Sequence, residues 1–295
     1  MEGRTRRRLS GILVGCALIG ACAFGAARAS VEPFQKGVFA LLGGKQQTVA
    51  HFWAVGSGHA PTLKVQQFQM DGTTPILNYR IDMGTTAHMF LIRDDFATFQ
   101  HHNADFNTGT GAFSHTFTKE ANHKYYLYTD SGPYQMHRQV FRFTIESEGP
   151  VAASNPSTSA SATTESAGDG YTVVMAKTTL DANKPFVMDV TVDRGGKAAQ
   201  DLSPFFGSAA HMVMIDSSSL EYVSLHPVLK GEKLDTSLSY TVEQELQRLQ
   251  TNSKTGPNMQ VAIPPLPAGT YKAWYEFIGG VSQHHYVAPF TFVVQ

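Results

Sequence analysis

The chain has almost no cysteine. Of 295 residues only Cys16 and Cys22 carry a thiol, and both lie in one N-terminal apolar run. If that run is removed on export, nothing is left for disulfides, thiolate zinc sites, iron–sulfur clusters, a cysteine nucleophile or the thiolate-dependent type 1 copper site. An excess of charge of one sign is missing too: 23 Lys and Arg against 24 Asp and Glu give a formal net charge of −1. Such balance offers no broad basic face to nucleic acid or to an anionic membrane. Also absent are a G-x-S-x-G elbow, a P-loop, an H-E-x-x-H helix and a Gly-rich dinucleotide fingerprint. Gly56-Ser57-Gly58-His59 does set a serine near a histidine, but in flexible-loop sequence, and the pair Asp94-Asp95 sits at a turn where solvation is its ordinary state. An enzyme is not expected.

What is present begins with Arg4, Arg6, Arg7 and Arg8, then GILVGCALIGACAFGAA, then Ala27-Arg28-Ala29. A basic n-region, a short apolar h-region and an A-x-A site describe a secretory signal peptide over residues 1–29, cut after Ala29. The run is short and rich in Gly and Ala for a retained anchor, so no transmembrane segment is expected in the mature form. Ile19-Gly20-Ala21-Cys22 resembles a lipoprotein box, which would put a lipid anchor at Cys22, and Thr5-Arg6-Arg7-Arg8-Leu9 weakly resembles a twin-arginine signal. The protein is expected in the periplasm or outside the cell.

Residues 149–170, GPVAASNPSTSASATTESAGDG, are nearly all Ser, Thr, Ala, Gly and Pro, a composition that cannot offset its ordering entropy by burial. The expectation is a disordered linker between a first domain at 61–148 and a second at 171–295, with 30–60 an extension of no evident place. Each domain is a series of short runs rich in Val, Ile, Phe, Tyr and Thr, such as LKVQQFQM and VFRFTIE in one and FVMDVTV and APFTFVV in the other. Short strands broken by turn residues predict an all-β chain of two immunoglobulin-like antiparallel β-sandwich domains. The exception is Thr241 to Gln250, where a Thr241/Gln244 capping box and an apolar face of Val242, Leu246 and Leu249 predict a short helix inserted in the second domain.

Two stretches are variants of one phrase: AHMFLIRDDFATFQHH, Ala87 to His102, and AHMVMIDSSSLEYVSLHP, Ala210 to Pro227. The likeness continues, with Tyr125-x-x-Tyr128-x-Asp130 matching Tyr271-x-x-Trp274-x-Glu276 and Phe141-x-Phe143 matching Phe290-x-Phe292. Order and polarity agree, which predicts a tandem duplication of one fold. Folded as a hairpin, the first phrase sets Ile92 near Thr98 and His88 near His102, and the second sets Ile215 near Tyr222 and His211 near His226. The turn after the next strand carries Gln135-Met136-His137 in one half and Gln283-His284-His285 in the other. Each sandwich then gathers histidines at one end, the candidate ligands being His88, His101, His102, Met136 and His137 in the first and His211, His226, His284 and His285 in the second. Imidazole suits copper, zinc, nickel and iron, and added thioether sulfur tilts the preference to copper. The bland reading is that a histidine starting a strand is a hydrogen-bonded, half-buried residue, and that Met89, Met212 and Met214 fill core.

The pattern His-Met/His, then Phe-x-His-x-His-Pro, then Tyr-x-apolar-aromatic-x-Asp/Glu resembles a group of small secreted bacterial β-sandwich domains linked with heavy-metal handling. The first copy, Phe99-Gln100-His101-His102-Asn103, keeps the first closing histidine of that pattern; the second, Tyr222 to Pro227, keeps the second. The resemblance implies an exported accessory protein that binds a transition metal, copper before zinc, and exchanges it with a metal-handling partner. The other reading is a non-catalytic binding or adhesion module of tandem sandwiches whose histidines are structural.

Overall fold

In the computed structural model the described residues are 31–33, 45–56, 58–146, 149–151, 153–154, 156–234 and 254–295. They form strands joined by turns, and no helix occurs among them. The helix expected at Thr241–Gln250 and the export signal at 1–29 lie outside the described residues. Among the described residues no helix is long and apolar enough to cross a membrane.

The first sandwich is built from β1 (Val31–Pro33), β2 (Thr48–Val55), β3 (Thr62–Gln69), β4 (Ala87–Arg93), β5 (Phe99–Asn103), β6 (Asp105–Asn107), β7 (Ala112–Thr116), β8 (Tyr125–Ser131) and β9 (Gln139–Ile145). One sheet runs β1-β9-β8-β4-β5 and the other β2-β3-β7-β6. Between them lie Leu63, Val65, Met89, Leu91, Phe113, Leu127, Phe141 and Phe143, all buried. Within the expected extension at 30–60, Val31–Pro33 and Thr48–Val55 are strands of this sandwich, since β1 pairs with β9 and β2 pairs along its whole length with β3.

The second sandwich comprises β10 (Thr164–Gly168), β11 (Tyr171–Met175), β12 (Thr179–Leu180), β13 (Phe186–Arg194), β14 (Lys197–Ala198), β15 (Leu202–Ser203) and β16 (His211–Asp216). It is completed by β17 (Tyr222–Leu225), β18 (Val228–Leu229), β19 (Asn258–Ile263), β20 (Gly269–Gly279) and β21 (His284–Val294). One sheet runs β12-β21-β20-β16-β17, the other β10-β11-β13-β19-β18, and every pairing but β12 with β21 is antiparallel. The expected linker is corrected here. Its end is strand β10, whose Ala167 packs on the core, and ahead of that the Ser161 N–H donates to Thr291 O while Lys272 Nζ donates to Ser157 O. Small polar residues lie along the second sandwich because its strands meet their backbone hydrogen bonds, a compensation composition does not reveal.

The two sandwiches meet face to face. β4 and β16 carry apolar residues on both faces and are buried throughout except at Arg93, which is why HMFLI and HMVMI are continuous apolar runs. Met89 and Leu91 point into the first core, whereas Phe90 and Ile92 point out into a shared layer with Tyr128, Val140, Val213, Ile215, Tyr222 and Trp274. Full burial of each such side chain stabilises by about 1.5–3 kcal/mol. The contact is reciprocal. Phe99 of β5 stacks on Trp274 of β20 with centroids 4.7 Å apart, and Tyr222 of β17 stacks on Tyr128 of β8 at 5.6 Å. Two tight turns answer each other in the same way: Asp82-Met83-Gly84-Thr85 and Phe205-Phe206-Gly207-Ser208 each close with an antiparallel bridge, with φ positive at both central residues. That is the type I′ requirement, met at the second position by glycine.

Candidate metal centre

The outward face of these central strands is apolar except at one end. There His88 is the second residue of β4 and His211 the first of β16, each two residues before the first residue of the shared layer. Across the sheet His88 pairs with Asp130 of β8, and His211 pairs with Glu276 of β20. His101 stands opposite Phe90 on β5, and His285 lies on β21 two residues before Val287, the partner of Glu276. Alternation along each strand turns all of these side chains to the interface.

Glu276, fully buried, is the hub. His101 Nδ1 donates to Oε1 at 2.8 Å and His285 Nε2 to the same oxygen at 2.9 Å, while His211 Nδ1 donates to Oε2 at 2.6 Å. His101 comes from the first sandwich and the other three residues from the second, so the cluster exists only when the sandwiches are docked. It continues outward in both directions. Ser224 Oγ lies 2.9 Å from His211 Nε2, His88 Nδ1 lies 2.9 Å from His101 Nε2, and His88 Nε2 lies 3.2 Å from the carbonyl of Asp82. Phe205 walls the group, with ring centroids 5.2 Å from His285, 5.9 Å from His211 and 6.0 Å from His101. The side chains of His101, His211 and Glu276 are at most 2% exposed, whereas His285 is 34% exposed and forms the way in.

Burial alone would push the Glu276 carboxyl up, but the facing His101 ring and the hydrogen bonds from His101, His211 and His285 outweigh it and hold the group well below the usual carboxylate range. Burial, followed by the neighbouring His101, His211 and Arg138, holds His88 well below the ordinary histidine value, and burial lowers His101 despite Glu276. The line Asp82 O, His88, His101, Glu276 Oε1 has three contacts and both of its ends accept, so two neutral imidazoles supply protons to two of the three, and an imidazolium or a bound cation serves the third.

The sequence reading placed some of these residues well and others not. His88, His101, His211 and His285 come together, and His226 is adjacent, its ring 5.5 Å from that of His211. The expected pairing of Ile215 with Tyr222 is observed. In the first hairpin the register is one residue off the expectation: Ile92 pairs with Phe99, and His88 with Asn103. His102 therefore faces away beside Met89 and stacks on His115 at 3.9 Å. Met136 and His137 use their backbones, Met136 O accepting from Arg80 Nη1 and the His137 N–H donating to Gln47 Oε1. His284, exposed, lies against Tyr286. Glu276 was visible only as the acidic end of a repeated strand motif; an acid inside a strand buried on both faces was the signal for its role.

His101, Glu276 and His285 present ligand atoms within 4.8 Å of one another. Two imidazoles and a carboxylate are a donor set for Zn(II) and Cu(II). The sequence profile of a domain of unknown function, DUF8832, matches residues 164–295, which include Glu276, His211 and His285 but not His101. No curated protein matches the chain.

Proposed function

We propose that this is an exported accessory protein that binds one divalent transition-metal ion between its two sandwiches, through His101, Glu276 and His285. The observation that carries the reading is the convergence of three ligand atoms, two imidazole nitrogens and a carboxylate oxygen, within 4.8 Å of one another between the sandwiches. A metal ion on these three atoms would leave His211 and His88 to orient Glu276 and His101 from behind, the usual task of groups around a metal ligand. The set of His101, Glu276 and His285 contains no thioether to favour Cu(I). Copper stays ahead of zinc only as Cu(II), by its higher affinity for nitrogen and oxygen donors. Entry through a single half-exposed histidine suits buffering or transfer to a metal-handling partner.

Calorimetric titration with Zn(II) and with Cu(II) tests this. A Kd tighter than about 1 μM, roughly −8 kcal/mol, is expected. His101→Ala should weaken it by about 100-fold or more, since ligand loss costs at least as much as loss of a supporting group. His102→Ala should leave it unchanged, because that ring faces the other way. No binding at micromolar ion, or equal affinity in wild type and His101→Ala, returns the histidines to a structural role and the protein to a tandem-sandwich binding module.

A further inference from the structure

Each sandwich holds a fully buried carboxylate at the same place in its central sheet. Asp130 on β8 pairs with His88 on one side and Val140 on the other; Glu276 on β20 pairs with His211 and Val287. Two residues before Val140 stands Arg138, and two residues before Val287 stands His285. Both reach their carboxylate, Arg138 Nε donating to Asp130 Oδ1 and His285 Nε2 to Glu276 Oε1. Arg138 also bonds Asp82 Oδ2 at 3.0 Å. Each carboxylate then takes one partner from the opposite sandwich, Tyr222 Oη donating to Asp130 Oδ2 at 2.8 Å and His101 donating to Glu276. The two ends of the interface thus share one plan and differ in the source of positive charge. A guanidinium is always charged. The second site has an imidazole in that place instead, whose ring nitrogen is a metal ligand.

We infer that Arg138 is the built-in counterpart of the metal ion: the protein takes one ion per chain, at Glu276, in the place that Arg138 fills beside Asp130, and there the ion also joins the sandwiches through His101. This rests on the metal reading above, and it goes further by giving the stoichiometry, the closed second site and a coupling between ion and docking. Because His101 belongs to the other sandwich, the ion binds the docked form and stabilises it by mass action.

His285→Arg puts a fixed cation where the ion would sit, and the half-exposed position has room for a longer side chain. Native mass spectrometry with added Zn(II) and thermal unfolding of the whole chain read the result, with His285→Ala and His285→Lys alongside. Wild type should carry one Zn(II) and gain about 5–10 °C in Tm at a hundredfold excess over Kd. His285→Arg and His285→Lys should carry none, show no Zn(II)-dependent shift, and melt above metal-free His285→Ala. If wild type binds one ion and folded His285→Arg still does, or if His285→Arg melts no higher than His285→Ala, the shared place of ion and guanidinium is refuted while the metal reading survives. Two ions in wild type would refute the closed second site. If wild type binds none, the metal reading fails and takes this inference with it.

Discussion

Replacing Arg138 with alanine is expected to destabilise the protein by about 3–5 kcal/mol, the usual cost of removing one partner from a buried ion pair. The guanidinium lies between Asp130, which is fully buried, and Asp82. Burial opposes its charge, yet the two carboxylates more than restore it and raise it further. Without it Asp130 keeps the Tyr222 hydroxyl, and two acidic groups, the fully buried Asp130 and the partly buried Asp82, are left without the cation between them. Equilibrium urea unfolding measures the loss. Pairing Arg138→Met with Asp130→Asn should recover part of it, because the penalty is that of a stranded charge rather than the net value of the pair. A loss below about 1 kcal/mol for Arg138→Ala would mean that water reaches Asp130, and the interface would not be the dry layer described here.

The sandwiches were legible in the sequence because strand length, turn residues and β-branched composition are local properties. Their face-to-face packing was not. Runs without polar alternation such as MFLI and MVMI are what burial on two faces requires, but they do not name the second surface. A repeated phrase points to a repeated fold; it does not say that the copies close on each other, and so His101 and Glu276 could not be joined across 175 residues of chain. The histidine registers show a smaller gap. Ile92 to Phe99 and Ile215 to Tyr222 are equal intervals, each closed by a left-handed residue, Phe96 in one turn and Leu220 in the other. Setting Phe99 against Tyr222 gives the observed pairing, and only the choice of Thr98 as the partner moved His101 off the inner face. In the same way, matching Gln135 with Gln283 aligned His137 with His285 and hid Arg138. The strand pairing that decides the matter, Asp130 with Val140 and Glu276 with Val287, depends on turn geometry that composition leaves open.

Phe90→Ala should separate the two sandwiches more effectively than any equal truncation inside either core. The ring is fully buried and lies 4.2 Å from His101, 5.6 Å from Tyr222 and 6.1 Å from His211, centroid to centroid, so its contacts join both halves. Phe to Ala in a packed core costs about 3–5 kcal/mol, and the partners here cannot collapse without sliding one sheet over the other. Trp274 provides the local readout. It stacks on Phe99, whose ring is 5.9 Å from Phe90, while Trp53, the other tryptophan, is 38% exposed on β2 and reports from outside the interface. Thermal unfolding should shift down by about 10 °C, and Trp274 emission should move to the red before the sandwiches melt. Leu91→Ala, one residue along and facing the first core, should cost about 2–5 kcal/mol yet leave that early change absent. The contrast isolates the interface: residues 90 and 91 are adjacent in the chain, both fully buried, and differ in which layer they fill. An early emission change in both variants, or in neither, would show that the two sandwiches do not separate as rigid bodies. In that case His101 would not be free to leave Glu276 without unfolding, and coupling between ion and docking would have no motion to act on.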